Sequence, residues 1–448
     1  MPIMEIMDNF AALILKEAMN YQTYKHHILT ILYFLLLATA PLQASAPFST
    51  AEPTDSVQAP SSDSLVIDFL KEAQVPLTPN TQLVLLKSGR EKFIDLFEHI
   101  RQAKHHIHLE YFNFRNDSIA NALFDLLGEK VKEGVEVRAL FDAFGNLSNN
   151  RPLTKKYIKA IRAKGIELIK FDPFRFPYFN HALHRDHRKI VVIDGRIGYT
   201  GGMNIANYYI DGLPEIGDWR DMHLRVEGQA VNELQDIFLT MWNKSAHQQV
   251  GGPAYYPLRQ DTTCNGNIHV AIVDRIPKKL PKLMRETYIE SIDAAQEKIQ
   301  IINPYFTPIG SVKRALKRAL KRGVEVEIMI PGKSDIPFTP DAAFYIANKL
   351  RKQGAEIYIY NGGFHHSKIM MVDSLFCTVG STNLNSRSLR YDYEVNAFIF
   401  DLPTTHELSV LFENDKLDST LLTREVYKKR SAWRRFVGWF AHLLTPFL

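Results

Sequence analysis

The sequence predicts an α/β protein made of two similar halves, each an α/β sandwich with a mostly parallel sheet, packed about a pseudo-two-fold axis. Three observations support this prediction. A pattern of His, Lys and Asp at fixed spacing occurs twice, and a Gly that precedes a Val-containing strand recurs at matching places. In addition, 46% of the 448 residues are hydrophobic and 23% are charged, which is typical of a globular protein long enough for two domains.

An uncharged apolar stretch near the N-terminus, residues 28–40, is preceded by Lys25 and followed by Ala-Ser-Ala at residues 44–46. It is shorter than the roughly 20 apolar residues that a transmembrane helix needs, and the small residues after it fit a signal-peptidase site. We therefore predict a hydrophobic signal or anchor segment over residues 1–46. The Pro- and Ser-rich residues that follow predict a linker over residues 47–78.

Beyond the linker the chain repeats itself. Residues 104–114 and 298–307 each have the pattern of a strand ending in aromatic residues. After a helical stretch, Gly-Val-Glu-Val occurs at residues 134–137 and again at residues 323–326. A Gly that ends a helix just before a Val-rich strand is typical of βα units. The predicted domains are residues 79–255 and residues 256–423.

Each half contains one copy of the His, Lys and Asp pattern, followed by a Gly and an Asn. The two copies are His187, Lys189, Asp194 and Asn204, and His366, Lys368, Asp373 and Asn383. The residues between Lys and Asp are apolar and predict a buried strand, on which His and Lys would share one face. Two-fold packing would bring both His-Lys pairs into one cleft.

The two copies resemble the HKD signature of the phospholipase D superfamily. Within it, the chain is most similar to bacterial cardiolipin synthases, through the stretches HRKIVVIDGRIGYTGGMNIA, WRDMHLRVEG and GSTNLNSRSL. The resemblance runs from about residue 80 to the C-terminus. It implies two phospholipase D-like domains that share one active site without a cofactor or metal. The implied reaction joins two phosphatidylglycerol molecules into cardiolipin and releases glycerol through a phosphohistidine.

The resemblance also implies a role for each motif residue. One His attacks phosphorus and the other donates a proton to the leaving alcohol. We interpret His187 as the nucleophile and His366 as the acid and base, while the pseudo-symmetry leaves the opposite assignment open. Asp194 and Asp373 belong to the signature but are expected to form structural hydrogen bonds at the strand ends. The expected ligands of the phosphoryl oxygens are Lys189, Lys368, Asn204 and Asn383.

Two carboxylates are expected to orient the histidine rings. A nucleophilic imidazole works best when a carboxylate holds its other nitrogen. The family has an acidic residue downstream of each motif His. Asp221 follows His187 by 34 residues, and Glu394 follows His366 by 28 residues. Both precede an apolar strand, so both are candidates for this supporting role.

Two features close to the first motif have alternative interpretations. His181, His184 and His187 are three residues apart, a spacing that metal ligands can have. No carboxylate or Cys lies nearby at ligand spacing, so we predict no metal. The aromatic and Pro-rich residues 171–179 are either a packed loop or an apolar lip for acyl chains.

Residues 424–448 predict a basic amphipathic helix. Its cationic side chains, at residues 428–430 and 434–435, alternate with a Trp- and Phe-containing apolar face. Such a helix is typical of a segment lying on an anionic lipid surface. The alternative is a terminal helix docked on the protein core.

Composition helps to separate the candidate functions. The net charge of +5 is mild, which disfavours nucleic acid as a partner. Two cysteines, Cys264 and Cys377, are too few for a disulfide framework or a zinc finger. The main alternative is a phospholipase D that uses water as acceptor, with a nuclease less favoured. A third is a catalytically dead protein that binds anionic membranes, although both copies retain His, Lys and Asn.

The expected partners are phosphatidylglycerol and the membrane surface. A monomer is expected to be active, because both motifs lie in one chain. The expected location is the bacterial cell membrane, held by the N-terminal segment. Lys25 before the apolar stretch favours a catalytic part on the extracytoplasmic side.

Overall fold

A computed structural model of the chain describes residues 60–173, 183–259, 266–336 and 339–445. The predicted signal or anchor segment over residues 1–46 lies outside these ranges. Within them, no helix has the length and apolar character that crossing a membrane would require.

The first half alternates strands with helices and ends in a long helix. Its strands are β1 (Leu77–Leu86), β2 (His106–Tyr111), β3 (Glu136–Asp142), β4 (Glu167–Phe171), β5 (Lys189–Ile193), β6 (Ile197–Gly201), β7 (Trp219–Arg220) and β8 (His223–Gly228). Its helices are α1 (Ser62–Glu72), α2 (Gly89–Gln102), α3 (Ser118–Lys132), α4 (Ala143–Leu147), α5 (Lys155–Arg162), α6 (Tyr208–Asp211) and α7 (Ala230–Ala246).

The second half repeats this order. Its strands are β9 (Ile268–Arg275), β10 (Lys298–Ile302), β11 (Glu325–Pro331), β12 (Glu356–Tyr360), β13 (Phe364–His365), β14 (Ile369–Val372), β15 (Phe376–Gly380), β16 (Glu394–Phe400) and β17 (Ser419–Leu421). Its helices are α8 (Leu283–Ala294), α9 (Gly310–Arg322), α10 (Thr339–Arg351), α11 (Ser386–Arg390), α12 (Leu402–Leu417), α13 (Arg424–Lys429) and α14 (Ala432–Leu444).

The two halves share one 15-stranded sheet in the order β17-β12-β11-β10-β14-β15-β16-β9-β1-β8-β6-β5-β2-β3-β4. Strands β1 and β9 pair antiparallel at its centre, and the strand order outward from each of them is equivalent except for β17, which is added at the outer edge of the second half. This arrangement confirms the predicted duplication and α/β class. The prediction of a mostly parallel sheet is wrong, because parallel pairing is limited to β2-β3-β4 and β10-β11-β12 and all other neighbouring strands of the sheet pair antiparallel. The motif strands instead form antiparallel hairpins, because short turns join β5 to β6 and β14 to β15.

Helix α1 forms inside the stretch predicted to be a linker. Val66 and Leu70 lie four residues apart on one helix face and are buried in the core of the second half, together with Met284 and Tyr288 of α8. This short amphipathic helix was not predicted, because the sequence around it is rich in Pro and Ser. A segment that precedes the first half in sequence therefore packs in the second.

Candidate active site

The two motif histidines are held at the boundary between the halves. His187 lies just before β5 and His366 just before β14. The backbone N–H of His187 donates to the carbonyl oxygen of Tyr393 at 3.0 Å, and that of His366 donates to Arg220 at 2.6 Å. In each case the acceptor belongs to the other half. Strands β7 and β13, one from each half, also pair in parallel beside the second motif.

The orienting carboxylates are likewise exchanged between the halves. Nδ1 of His187 lies 3.1 Å from both carboxylate oxygens of Glu394, and Nδ1 of His366 lies 2.7 Å from Oδ2 of Asp221. Both carboxylates are buried. Each His therefore pairs with the acidic residue of the other half rather than with the one that follows it in the chain. The four side chains meet in one site that neither half could form alone.

This pairing fixes the tautomer of both imidazoles. A ring whose Nδ1–H donates to a carboxylate has its lone pair on Nε2. Burial and the charge of Lys189 lower the pKa of His187 to about 4, against the opposing effect of Glu394. Burial and Lys368 also lower the pKa of His366. Both rings are therefore neutral near pH 7 before substrate binds.

The carboxylates stay ionised in spite of their burial. Burial alone would raise the pKa of Glu394, but His187 and Lys189 bring it below its usual value. The pKa of Asp221 is lowered in the same way, because Lys368 and His366 outweigh its burial. Each acid can therefore stabilise a positive charge that develops on its imidazole during reaction.

Two buried lysines complete the site. Nζ of Lys189 donates to the carbonyl oxygen of His187 at 2.5 Å. Nζ of Lys368 donates to the carbonyl oxygen of His366 and lies 2.9 Å and 3.1 Å from its two ring nitrogens. Burial is the main cause that lowers the pKa of Lys189 to about 7 and that of Lys368 to about 8. A bound phosphate would reverse these shifts, since an opposite charge favours the ammonium form.

The residues that follow each motif include a buried Asn and, in the first half, a Gly that contacts the site. The side chains of Asn204 and Asn383 are buried, and their Oδ1 atoms have no hydrogen-bond partner among the described residues. A Cβ at Gly202 would overlap with the carboxylate of Asp221. The equivalent position in the second half is Ser381, whose hydroxyl donates to Glu394. The Gly pair in the first half therefore makes room for the acid that orients His366.

The motif aspartates have a different position. The carboxylate of Asp194 accepts hydrogen bonds from the backbone N–H groups of residues 104–106, and that of Asp373 accepts from residues 296–298, all at 2.8–3.0 Å. Both lie at the far end of the motif strand and tie its turn to the start of β2 or β10. This geometry fits the structural role expected for them.

Several residues around the site were not found from the sequence. The ring of Phe112 lies 5.2 Å from that of His187, and the rings of Trp219 and Tyr305 lie 5.3 Å and 5.8 Å from that of His366. Lys92 of α2 is fully buried and donates to the carbonyl oxygens of Met203 and Asn204 at 2.9 Å and 3.1 Å. The strands ending in aromatic residues hinted at these walls, but nothing in the sequence marked Lys92.

The alternative features near the first motif are only partly described. Nδ1 of His184 lies 2.8 Å from the carbonyl oxygen of Tyr391, whereas His181 lies outside the described residues. In the described ranges, no three His, Cys, Asp or Glu side chains are grouped as metal ligands. Phe171 is buried beside Tyr393, and residues 174–179 of the aromatic loop lie outside the described ranges.

Comparison with known proteins identifies relatives along most of the chain. The family described as cardiolipin synthase, PLD-like domain, matches residues 96–242 and 288–416. The chain is 38% identical to a cardiolipin synthase of Oceanobacillus iheyensis over 384 residues, covering 86% of this chain and 79% of the relative. It is also 38% identical to the major cardiolipin synthase of Bacillus subtilis over 387 residues, with the same coverage. Among solved structures, phosphatidylserine synthase of Haemophilus influenzae has a similar fold, with a TM-score of 0.64, 15% identity and coverage of 86% of this chain and 100% of that one.

Proposed function

The chain belongs to the cardiolipin synthase family of phospholipase D-like proteins, and we propose a mechanism by which its two motifs catalyse the formation of cardiolipin. It is a phosphatidyltransferase that joins two molecules of phosphatidylglycerol and releases glycerol. The observation that carries the mechanism is the crossed pairing of His187 with Glu394 and of His366 with Asp221. One chain contributes all four groups, so a monomer is the active form in this proposal.

In the first step, His187 attacks the phosphorus of one phosphatidylglycerol. The lone pair of its Nε2 forms a P–N bond while the bond from phosphorus to the glycerol headgroup oxygen breaks. The negative charge of the bound phosphodiester favours the imidazolium form of His366, so its Nε2 carries a proton once substrate is bound. The leaving oxygen takes this proton and departs as glycerol. Glu394 stabilises the positive charge that develops on the His187 ring as the phosphohistidine forms.

In the second step, the headgroup hydroxyl of another phosphatidylglycerol attacks the phosphohistidine. His366, now neutral, takes the proton of that hydroxyl as the new P–O bond forms. The P–N bond breaks, and its electron pair returns to His187. The product is cardiolipin, and both histidines regain their starting protonation states. Asp221 stabilises the imidazolium form of His366 before the first step and again after the second.

Lys189 and Lys368 stabilise the phosphoryl oxygens throughout. Charge builds up on these oxygens as phosphorus becomes five-coordinate, and buried ammonium groups interact with it more strongly than exposed ones do. The amides of Asn204 and Asn383 are available as further ligands. This set of donors meets the demands of phosphoryl transfer with the chain's own side chains.

The test is a product assay with purified protein in vesicles of radiolabelled phosphatidylglycerol. We expect labelled cardiolipin and one glycerol per cardiolipin from the wild-type protein. The variants His187→Ala and His366→Ala should give neither. If phosphatidic acid were the main product, water would be the acceptor and the protein would be a phospholipase. If no lipid product formed, the proposed reaction would be wrong.

The pKa values also predict how kcat/KM depends on pH. His187 attacks only when neutral, so kcat/KM should fall as pH decreases through its pKa of about 4. His366 donates its proton only when protonated and its pKa is lowered, so kcat/KM should begin to fall as pH increases through that lowered pKa. The lysines bind phosphate only when charged, so the fall should become steeper through about 7 to 8. The measurement is kcat/KM for phosphatidylglycerol in mixed micelles across this range. Lys368→Arg keeps its charge at higher pH, so its fall at the alkaline end should be less steep. A rate that stays constant up to about pH 9 would contradict the lysine assignment.

A further inference from the structure

Helix α14 is docked on the protein by its small residues. Gly438 and Ala441 are buried, and a Cβ at Gly438 would overlap with the carbonyl oxygen of Asp341 in α10. The rings of His442 and Tyr345 lie 5.0 Å apart in the same contact. Because small residues make this contact, the bulky side chains of α14 lie on other sides of the helix.

Those bulky side chains form an exposed apolar face. At about 100° per residue, they lie on the side of α14 that faces away from Gly438 and Ala441. They are between 37% and 70% exposed and comprise Trp433, Phe436, Trp439, Phe440, Leu443 and Leu444. The helix therefore has a feature of each alternative for the C-terminal segment. It is docked on the protein, and it presents its apolar face outward. A continuous apolar face of this kind marks an interaction surface.

A basic groove lies beside this helix, between α9, α10 and α14. It has a volume of about 180 Å³, and its polar lining consists of the cations Lys313, Arg314, Lys317 and Lys349 and the ring of His442, whose pKa is lowered by burial and by the charges of Lys313 and Lys349. Burial, together with the charges of Lys349 and Lys317, lowers the pKa of Lys313. The nearby acidic residues Asp293 and Asp341 do not pair with these cations in the described structure. Their ion pairs are with Arg318, Arg322 and Arg430. The groove therefore concentrates positive charge that an anion would stabilise.

We propose that the exposed face of α14 and this basic groove form a binding surface for an anionic phospholipid bilayer. The aromatic and Leu side chains enter the boundary between headgroups and acyl chains, and the groove takes the phosphate of an anionic headgroup. Trp and Phe beside Lys and Arg are the residues that interfacial helices use for this purpose. The surface contains none of the motif residues, so it does not depend on the proposed reaction.

Charge favours a bilayer over a second copy of the chain as the partner. A symmetric contact through α14 would place the same surface of both copies together. The helix and its approach carry Lys428, Lys429, Arg434 and Arg435, so each copy would bring a positively charged surface to the contact. Anionic lipid would instead neutralise them.

The positions of the four Trp residues make a direct test possible. Trp433 and Trp439 lie on the exposed face of α14, whereas Trp219 and Trp242 are buried. Residues 1–59 contain no Trp, so the N-terminal segment adds nothing to the fluorescence, and the variant that lacks both Trp of α14 measures any quenching of Trp219, whose ring lies 5.3 Å from that of His366. We expect bromine-labelled phosphatidylglycerol vesicles to quench the fluorescence of the full-length protein. The double variant Trp433→Phe/Trp439→Phe should lose this quenching.

The groove is tested with charge-removing variants. Lys313→Gln/Lys317→Gln/Lys349→Gln should weaken binding to phosphatidylglycerol vesicles on the order of tenfold or more. The matched control removes three exposed lysines of α5, Lys155→Gln/Lys156→Gln/Lys159→Gln, and should leave binding nearly unchanged.

Three outcomes would overturn the assignment of this surface. The first is sedimentation of the wild-type protein with vesicles without Trp quenching, which would mean that another segment binds. The second is equal quenching by bromine-labelled vesicles of neutral phosphatidylcholine. The third is an equal loss of binding in the groove variant and in the α5 control variant. Circular dichroism melting curves establish that each variant is folded. None of these measurements requires turnover, so a failed surface and a failed reaction remain distinguishable.

Discussion

Replacing His366 with Ala should stop turnover of phosphatidylglycerol and, with a substrate that needs no general acid, should leave a phosphatidyl group on His187. Removing the nucleophile or the acid and base of such a site reduces kcat on the order of 10⁴-fold or more. The two losses differ when the substrate carries a leaving group that departs without a proton, such as 4-nitrophenol. With a radiolabelled nitrophenyl phosphatidyl ester, His366→Ala should still form the P–N bond but should lack the base needed for the second step. The protein should become labelled in proportion to the nitrophenol released.

The matched variant His187→Ala should bind the same ester without becoming labelled. His365→Ala provides the control for loss of an imidazole next to the motif, because Nε2 of His365 lies 3.0 Å from Asp415 rather than from a motif residue. That variant should turn over substrate. Acid treatment should release the label, since a P–N bond is acid-labile whereas an ester to Ser is stable. Labelling of His187→Ala but not of His366→Ala would exchange the two roles, and labelling of neither would exclude a histidine intermediate.

Most of the fold could be predicted from the internal repeat in the sequence. Matching Gly-Val-Glu-Val segments in the two halves predicted equivalent strands, and β3 and β11 occupy equivalent places in the sheet. The pairing of β1 with β9 was not predictable in this way. Those strands meet across the halves, and no local pattern specifies which edge strand will pair with which. The position of α1 in the second half has the same cause, because its sequence shows that it is amphipathic but not which core it covers.

Much of the site could likewise be predicted from the spacing of the motif residues. It predicted that His and Lys of each copy would share a face and that the motif aspartates would form structural hydrogen bonds at the strand ends. It could not reveal that Glu394 would orient His187, because a separation along the chain says nothing about partners across an interface. Lys92 was missed for a related reason. A Lys in an amphipathic helix normally reaches solvent, and only tertiary packing shows that this one is buried against backbone carbonyls.

The crossed carboxylates lead to the second large expected effect. Glu394→Gln replaces an acceptor at Nδ1 of His187 with an amide that can donate, which favours the tautomer that has its proton on Nε2. In a comparable triad such a change lowers kcat by about 10⁴, and we expect a loss on the order of 10²- to 10⁴-fold here. Because His187 is the nucleophile in this proposal, the loss should appear in the labelling step with the nitrophenyl ester.

Asp221→Asn is the matched variant, since it removes the charge beside His366 by an equally small change. It should label at a rate near that of the wild-type protein, because the nitrophenol leaves without a proton. It should then transfer the group to phosphatidylglycerol slowly, because His366 needs Asp221 to act as a base. Rapid-quench measurement of label uptake and of cardiolipin formation separates the two steps. One outcome would contradict the crossed assignment, and it has two explanations. Slow labelling in Asp221→Asn with normal labelling in Glu394→Gln would pair each carboxylate with the His of its own half or exchange the roles of the histidines, and the His366→Ala experiment distinguishes these.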